Sequence, residues 1–213
     1  MRMRNKKNRG VRMERCESIW IKEPQSAKGK WSELFGNNNP IHIEIGCGKG
    51  GFVTGMAKQN PNINYVAIER YENVLVLAME RVQREELTNV LFIDGDAMLL
   101  EEYFTPSEFS RIYINFCDPW PKKKTAKRRL THTNFLNIYK KLLPENCGIF
   151  FKTDNRSLFE FSLNSFADND FKMHNITLDL HNSDFEGNVM TEYEKKFSDE
   201  GMPIYRLEAF PRV

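Results

Sequence analysis

From residue 41 onward, short apolar runs alternate with stretches whose apolar positions recur every three or four residues. The runs are Ile41-His-Ile-Glu-Ile45, Tyr65-Val-Ala-Ile68, Val90-Leu-Phe-Ile93, Ile112-Tyr-Ile-Asn-Phe116 and residues 147–152. Runs of this length with few polar interruptions predict strands buried on both faces. Between them the helical period predicts helices over 51–58, 72–84, 133–143 and 157–166, the second with Val74, Leu75, Leu77, Ala78 and Val82 as its apolar stripe. Strand and helix in alternation imply βαβ units. Candidate strands near 173–179 and 203–210 complete the sheet antiparallel, and 180–190 reads as a loop. The expectation is an α/β fold with a mostly parallel seven-stranded sheet and helices on both faces.

This pattern begins only at Pro40. Residues 1–39 read as a basic arm and a polar linker, expected to be mobile without a partner, and residues 40–213 as one domain. No apolar run approaches the roughly 20 residues that span a bilayer, and the N-terminus has no secretory apolar segment, so a cytoplasmic protein without membrane contact is expected. Cys16, Cys47, Cys117 and Cys147 form no Cys-x-x-Cys pair and no ligand-spaced cluster with histidine, so no metal is expected.

The formal charge of +2 hides a segregation. Arg2, Arg4, Lys6, Lys7, Arg9, Arg12 and Arg15 crowd the N-terminus, and Lys122, Lys123, Lys124, Lys127, Arg128 and Arg129 crowd one interior segment. The rest of the chain is net acidic. Two concentrated basic segments on an acidic body are the electrostatic footprint of a polyanion partner, and nucleic acid fits best. Neither segment has the regular apolar face of a membrane anchor.

Four carboxylates follow or end the first four runs: Glu44, Glu69, Asp96 and Asp118. A parallel α/β sheet gathers the carboxyl ends of its strands into one crevice, so the four are expected around a single, cationic ligand. Gly46-Cys-Gly-Lys-Gly50-Gly51 satisfies the dinucleotide pattern through Gly46, Gly48 and Gly51, and Glu69 stands at the spacing of a ribose-binding acid. Glu44 separates the two readings. Beside this loop a carboxylate repels a pyrophosphate and attracts an ammonium or sulfonium, which favours S-adenosyl-L-methionine over a nicotinamide dinucleotide. Asp96 with Ala97 is then placed to meet the adenine. Each acid could alternatively cap the helix that follows its strand.

Asp118-Pro-Trp-Pro121 joins the fourth run to the basic segment, and its two prolines stiffen a carboxylate and an indole at the crevice mouth. An Asp-Pro segment here is similar to that of amino-methyltransferases, although Trp120 replaces their second proline. Thr191-Glu-Tyr-Glu194 has capping-box spacing.

Taken together, Ile43-Glu-Ile-Gly-Cys-Gly-Lys-Gly-Gly-Phe52, residues 115–130, Lys152-Thr-Asp154 and Thr191-Glu-Tyr-Glu194 resemble the bacterial tRNA (guanine-N7)-methyltransferases of the TrmB type, within the class I methyltransferases of Rossmann-like fold. Cys117 stands where many members have proline, and Thr125 and Ala126 replace a commonly His-rich pair. The resemblance implies methyl transfer from S-adenosyl-L-methionine to N7 of a variable-loop guanosine in tRNA, guanosine 46 by the family's convention. It also implies residue roles. Glu44, Gly46, Gly48, Gly50, Glu69, Asp96, Ala97 and Asp118 would bind the cofactor, Asp118 being catalytic as well. Lys122, Asp154, Thr191, Glu192, Tyr193 and Glu194 would bind substrate, and Lys124, Thr125, Ala126, Lys127, Arg128 and Arg129 would contact RNA. A monomer or homodimer is compatible. An amino-methyltransferase, a non-catalytic RNA-binding module and, less well, a nicotinamide oxidoreductase are the competing classes.

Overall fold

The computed structural model describes residues 8–212. Arg2, Arg4, Lys6 and Lys7 lie outside the described residues.

Eight strands form one sheet: β1 (Trp20–Ile21), β2 (Ile41–Ile45), β3 (Asn64–Glu69), β4 (Val90–Asp94), β5 (Arg111–Asn115), β6 (Gly148–Thr153), β7 (Phe171–Thr177) and β8 (Tyr205–Pro211). Their order is β1-β4-β3-β2-β5-β6-β8-β7, with only the pairs made by β8 antiparallel. Strand order reverses on either side of β2, which opens a crevice above its carboxyl end. The helices are α1 (Arg9–Glu14), α2 (Pro24–Ala27), α3 (Trp31–Phe35), α4 (Gly51–Gln59), α5 (Glu72–Arg84), α6 (Leu100–Tyr103), α7 (Thr133–Leu142), α8 (Arg156–Asp168) and α9 (Glu192–Asp199). Two apolar cores flank the sheet. One includes Trp31, Phe104, Tyr139 and Phe159; the other includes Met13, Val53, Leu75 and Val82.

The sheet thus has eight strands where the pattern predicts seven, and the extra one comes from the segment read as arm. Residues 9–35 are built into the body. Arg12 donates to Glu80 on α5, Arg9 pairs with Glu72 at 2.7 Å, and Trp20 and Ile21 pair with Phe92 and Ile93 of β4. Trp31 is fully buried, stacks on Phe104 at 4.9 Å and donates its indole N–H to the Tyr103 carbonyl. Burying an indole of this size with its polar edge satisfied ties the segment to the core. A two-residue strand and helices of four to six residues leave too short a period to read from sequence. Among the described residues, no helix is long and apolar enough to cross a membrane.

Candidate active site

The glycine loop takes its shape from three left-handed backbones. Gly46, Gly48 and Gly50 have φ of +78°, +57° and +76°. Gly50 serves as N-cap of α4, where a Cβ would fall 2.8 Å from that of Ala78. At Gly46 and Gly48 a Cβ would meet nothing within 4 Å, so the loop rims open space. Backbone there can approach a ligand closely.

Glu44 lies beneath this loop and is 2% exposed. Asn115 Nδ2 donates to its Oε1 at 3.1 Å, while Oε2 is buried without a hydrogen-bond partner. Burial pushes its pKa up to about 8, opposed by the Asn115 hydrogen bond, the Lys152 ammonium and the Val53 amide, while Glu69 adds to the rise. A buried acceptor with one empty side is costly unless a ligand supplies a donor or a positive charge. Glu69 ends β3 and accepts from the Gly48 and Tyr71 amides at 3.1 and 3.0 Å. Burial raises its pKa despite these bonds, and Asp118 adds to the rise. Asp96 caps the 3-10 turn Ala97–Leu99, accepting from the Met98 amide at 2.9 Å, and lies 3.5 Å from Arg70 Nε. The capping role is realised at Asp96, while Glu44 sits within its strand and reaches toward the Val53 amide in the first turn of α4.

Asp118 is exposed. Its turn is held between two residues in the left-handed region, Phe116 at φ +52° and Trp120 at +42°. Such backbones cost about 1–3 kcal/mol each and persist where surrounding contacts over-determine them. Asp118 and Asp154 both raise the pKa of Cys117, which burial takes to about 12, so both carboxylates face this junction of β5 and β6.

The basic segment is a 3-10 turn, Lys123–Arg128. Lys122, Lys124, Lys127 and Arg128 are exposed, whereas Thr125 and Ala126 are half-buried. The Arg128 guanidinium lies 4.9 Å from the Trp120 ring centroid and covers that ring from one side. Arg129 is different. It turns inward, donating to the Pro119 and Trp120 carbonyls at 3.0 Å each.

Thr191–Glu194 forms the predicted capping box in both directions. Glu194 is fully buried and receives the Lys152 ammonium at 2.7 Å. Lys152 also donates to Asn188 Oδ1 at 2.9 Å and the Val189 carbonyl at 3.1 Å. Glu192 pairs with Arg81 of α5, and Tyr193 is exposed. Of these four, Glu194 faces inward and Tyr193 faces solvent. The segment rests directly on α4: a Cβ on Gly55 would fall 2.5 Å from Val189 Cγ1, and one on Gly51 would strike Glu192. Below it, a cavity of about 280 Å³ runs from Phe52 and Tyr113 to Asn115 and Lys152.

The structure brings Glu44, Glu69, Asp118 and Asp154 to one end of the sheet. Asn115 and Lys152 were not among the predicted site residues, although a polar side chain inside each apolar strand marks them. Among the described residues, no three His, Cys, Asp or Glu side chains gather as a metal site would require.

A family model described as "Putative methyltransferase" matches residues 38–207. The chain is 56% identical to the tRNA (guanine-N(7)-)-methyltransferase of Listeria innocua over 209 residues, 98% of each protein. It is 52% identical to the protein of the same name from Streptococcus pneumoniae, covering 98% of this chain and 99% of that one. Among solved structures, the 16S rRNA methyltransferase KamB superposes with a TM-score of 0.64 at 12% identity, covering 86% of this chain and 93% of that one, which speaks for the fold alone.

Proposed function

The chain belongs to the tRNA (guanine-N7)-methyltransferase family, and from that premise we infer that it methylates N7 of guanosine 46 in the tRNA variable loop, in the cytoplasm. The observation that carries the reading is the sealed Glu44 carboxylate with its unpartnered oxygen beneath an open glycine loop. A carboxylate that ionises when a cation settles beside it suits an ammonium and a sulfonium and opposes a pyrophosphate.

The residues present fit S-adenosyl-L-methionine. Gly46, Gly48 and Gly50 would let backbone close on it, Glu44 would face its positive charge, Glu69 its ribose, and Asp96 with Ala97 its adenine. When bound, it supplies an electrophilic methyl group on a sulfonium. Guanine N7 has an in-plane lone pair and no proton to lose, so no residue has to act as general base on the nucleophile. Positioning and electrostatics then supply the acceleration. Asp118 holds a carboxylate where the purine gains positive charge, and Asp154 reinforces it across Cys117. Lys122, Lys124 and Lys127 are exposed and would grip phosphates on the same rim, with the exposed Arg128 beside them over Trp120, and Tyr193 presents its hydroxyl opposite. A unit spanning residues 40–213 would carry this chemistry, with residues 8–39 packed on it as a brace.

The test is a methyl-labelled cofactor assay on unmodified tRNA followed by nucleoside analysis. Label in 7-methylguanosine is expected; label in a methylated exocyclic amine would replace this reading with that of an amino-methyltransferase.

A further inference from the structure

We propose that Arg129 is a positioning residue for the Asp118 turn and not a contact to the RNA backbone. The inference rests on the reading of Asp118 as the carboxylate at the reacting centre.

Five cations of the segment, Lys122, Lys123, Lys124, Lys127 and Arg128, are exposed; Arg129 is half-buried and engaged on three sides. Its Nε donates to the Pro119 carbonyl and its Nη2 to the Trp120 carbonyl, both at 3.0 Å, and its guanidinium carbon lies 4.3 Å from the Phe161 ring centroid on α8. A planar guanidinium can bridge two successive carbonyls and stack on an aromatic face at once; an ammonium cannot. The turn needs such a brace. Pro119 and Pro121 have no N–H, so the turn cannot tie itself through those amides. Phe116 and Trp120 hold it in left-handed backbones that relaxation would abandon. Arg129 closes the base of the loop that runs from Asp118 through the 3-10 turn, tying the exposed cations to the position of the carboxylate.

The basic segment then has two functions in one short stretch. Its outward cations set affinity for a polyanion, and its inward arginine sets where Asp118 stands.

Arg129→Lys separates them, because it keeps the charge and loses the fork. The single-turnover rate at saturating tRNA and S-adenosyl-L-methionine should fall about 10- to 100-fold, as expected when a reacting group is misplaced by an ångström or less. The Kd for tRNA and its salt slope should match the unaltered protein, and amide exchange across residues 116–122 should accelerate. Phe161→Leu, which removes only the ring beneath the guanidinium, should lower the rate less with the same unchanged slope. It carries the test if Arg129→Lys fails to melt cooperatively or to bind S-adenosylhomocysteine. Unaltered rates and unaltered exchange in the variants would overturn the proposal. So would a flattened salt slope in Arg129→Ala, like that of Lys127→Ala, with its rate restored at saturating tRNA. Asp118→Asn measured in parallel keeps the two ideas apart: an undiminished rate there fells the reading of Asp118, while exchange in Arg129→Lys reports on the brace alone.

Discussion

Lys152 places its ammonium 2.7 Å from the Glu194 carboxylate, with the two side chains 7% and 0% exposed. One partner belongs to the strand β6 and the other to the helix α9. Burial lowers the lysine's pKa, and Glu194 is the chief opposing influence. Asn188 and the Val189 carbonyl complete the lysine's contacts, and on the far side of Glu194 stand His181 Nε2 at 3.3 Å and the Asn188 amide.

Removing one member of this pair should therefore be costly. Lys152→Met or Glu194→Leu alone should each destabilise the protein by about 3–5 kcal/mol, because the remaining buried charge loses its ion-pair partner and keeps only weaker neighbours, His181 and Asn188 beside Glu194 or Asn188 and the Val189 carbonyl beside Lys152. The double substitution should cost less than the sum of the two. Urea denaturation of all three variants checks this, and strict additivity would show that the two groups do not act as a pair.

Glu44 makes the protein pH-sensitive. Folding raises its pKa from the usual 4.5 to about 8, so the folded state holds the extra proton between those values. By linkage its contribution to stability declines as pH rises through that window. Glu44→Gln should remove this decline in the cofactor-free protein, raising the Tm at pH 8 by several degrees and leaving it little changed near pH 5. Bound cation favours the ionised form, so affinity for S-adenosyl-L-methionine should climb toward pH 8 by up to about tenfold per unit, and should be weak and flat in the glutamine variant. Thermal melts and calorimetry across pH 5–8.5 measure both.

Replacing Lys124, Lys127 and Arg128 with alanine should weaken tRNA binding and leave cofactor binding intact. Each lost phosphate contact should reduce the log-log salt slope by roughly 0.7–0.9. A slope that stays put after all three changes would mark them as solvated surface charges.

Asp118→Asn keeps the shape of the turn and removes its charge. Turnover should drop about 10- to 1000-fold, corresponding to roughly 1.4–4 kcal/mol of lost transition-state stabilisation, with tRNA affinity retained. Single-turnover kinetics at saturation isolate the effect, and a normal rate would shift attention to Asp154.

The alternation of runs and amphipathic stretches was enough to place β2 to β6 and the long helices, because each carries a full period of buried positions, whereas β7 buries only Phe171 and takes its place by pairing with β8. It was blind to residues 9–35, whose elements are too short for any period and owe their conformation to Trp31, Arg12 and Trp20 finding partners far away in sequence. The carboxylates were legible because strand ends converge by topology. Side-chain direction was not: Arg129 reads as one more cation in a basic run, and only the fold shows it facing Pro119 and Trp120 while its neighbours face outward.

Gly51 and Gly55 put the backbone of α4 in direct contact with Glu192 and Val189, with no side chain between them to absorb movement. The 188–194 segment and the helix launched by the glycine loop therefore share one surface. Any shift of α4 would bear directly on the 188–194 segment. Thermodynamic reciprocity then fixes the rest: whatever factor a ligand at the glycine loop applies to affinity at the 188–194 segment, a ligand there must apply in return.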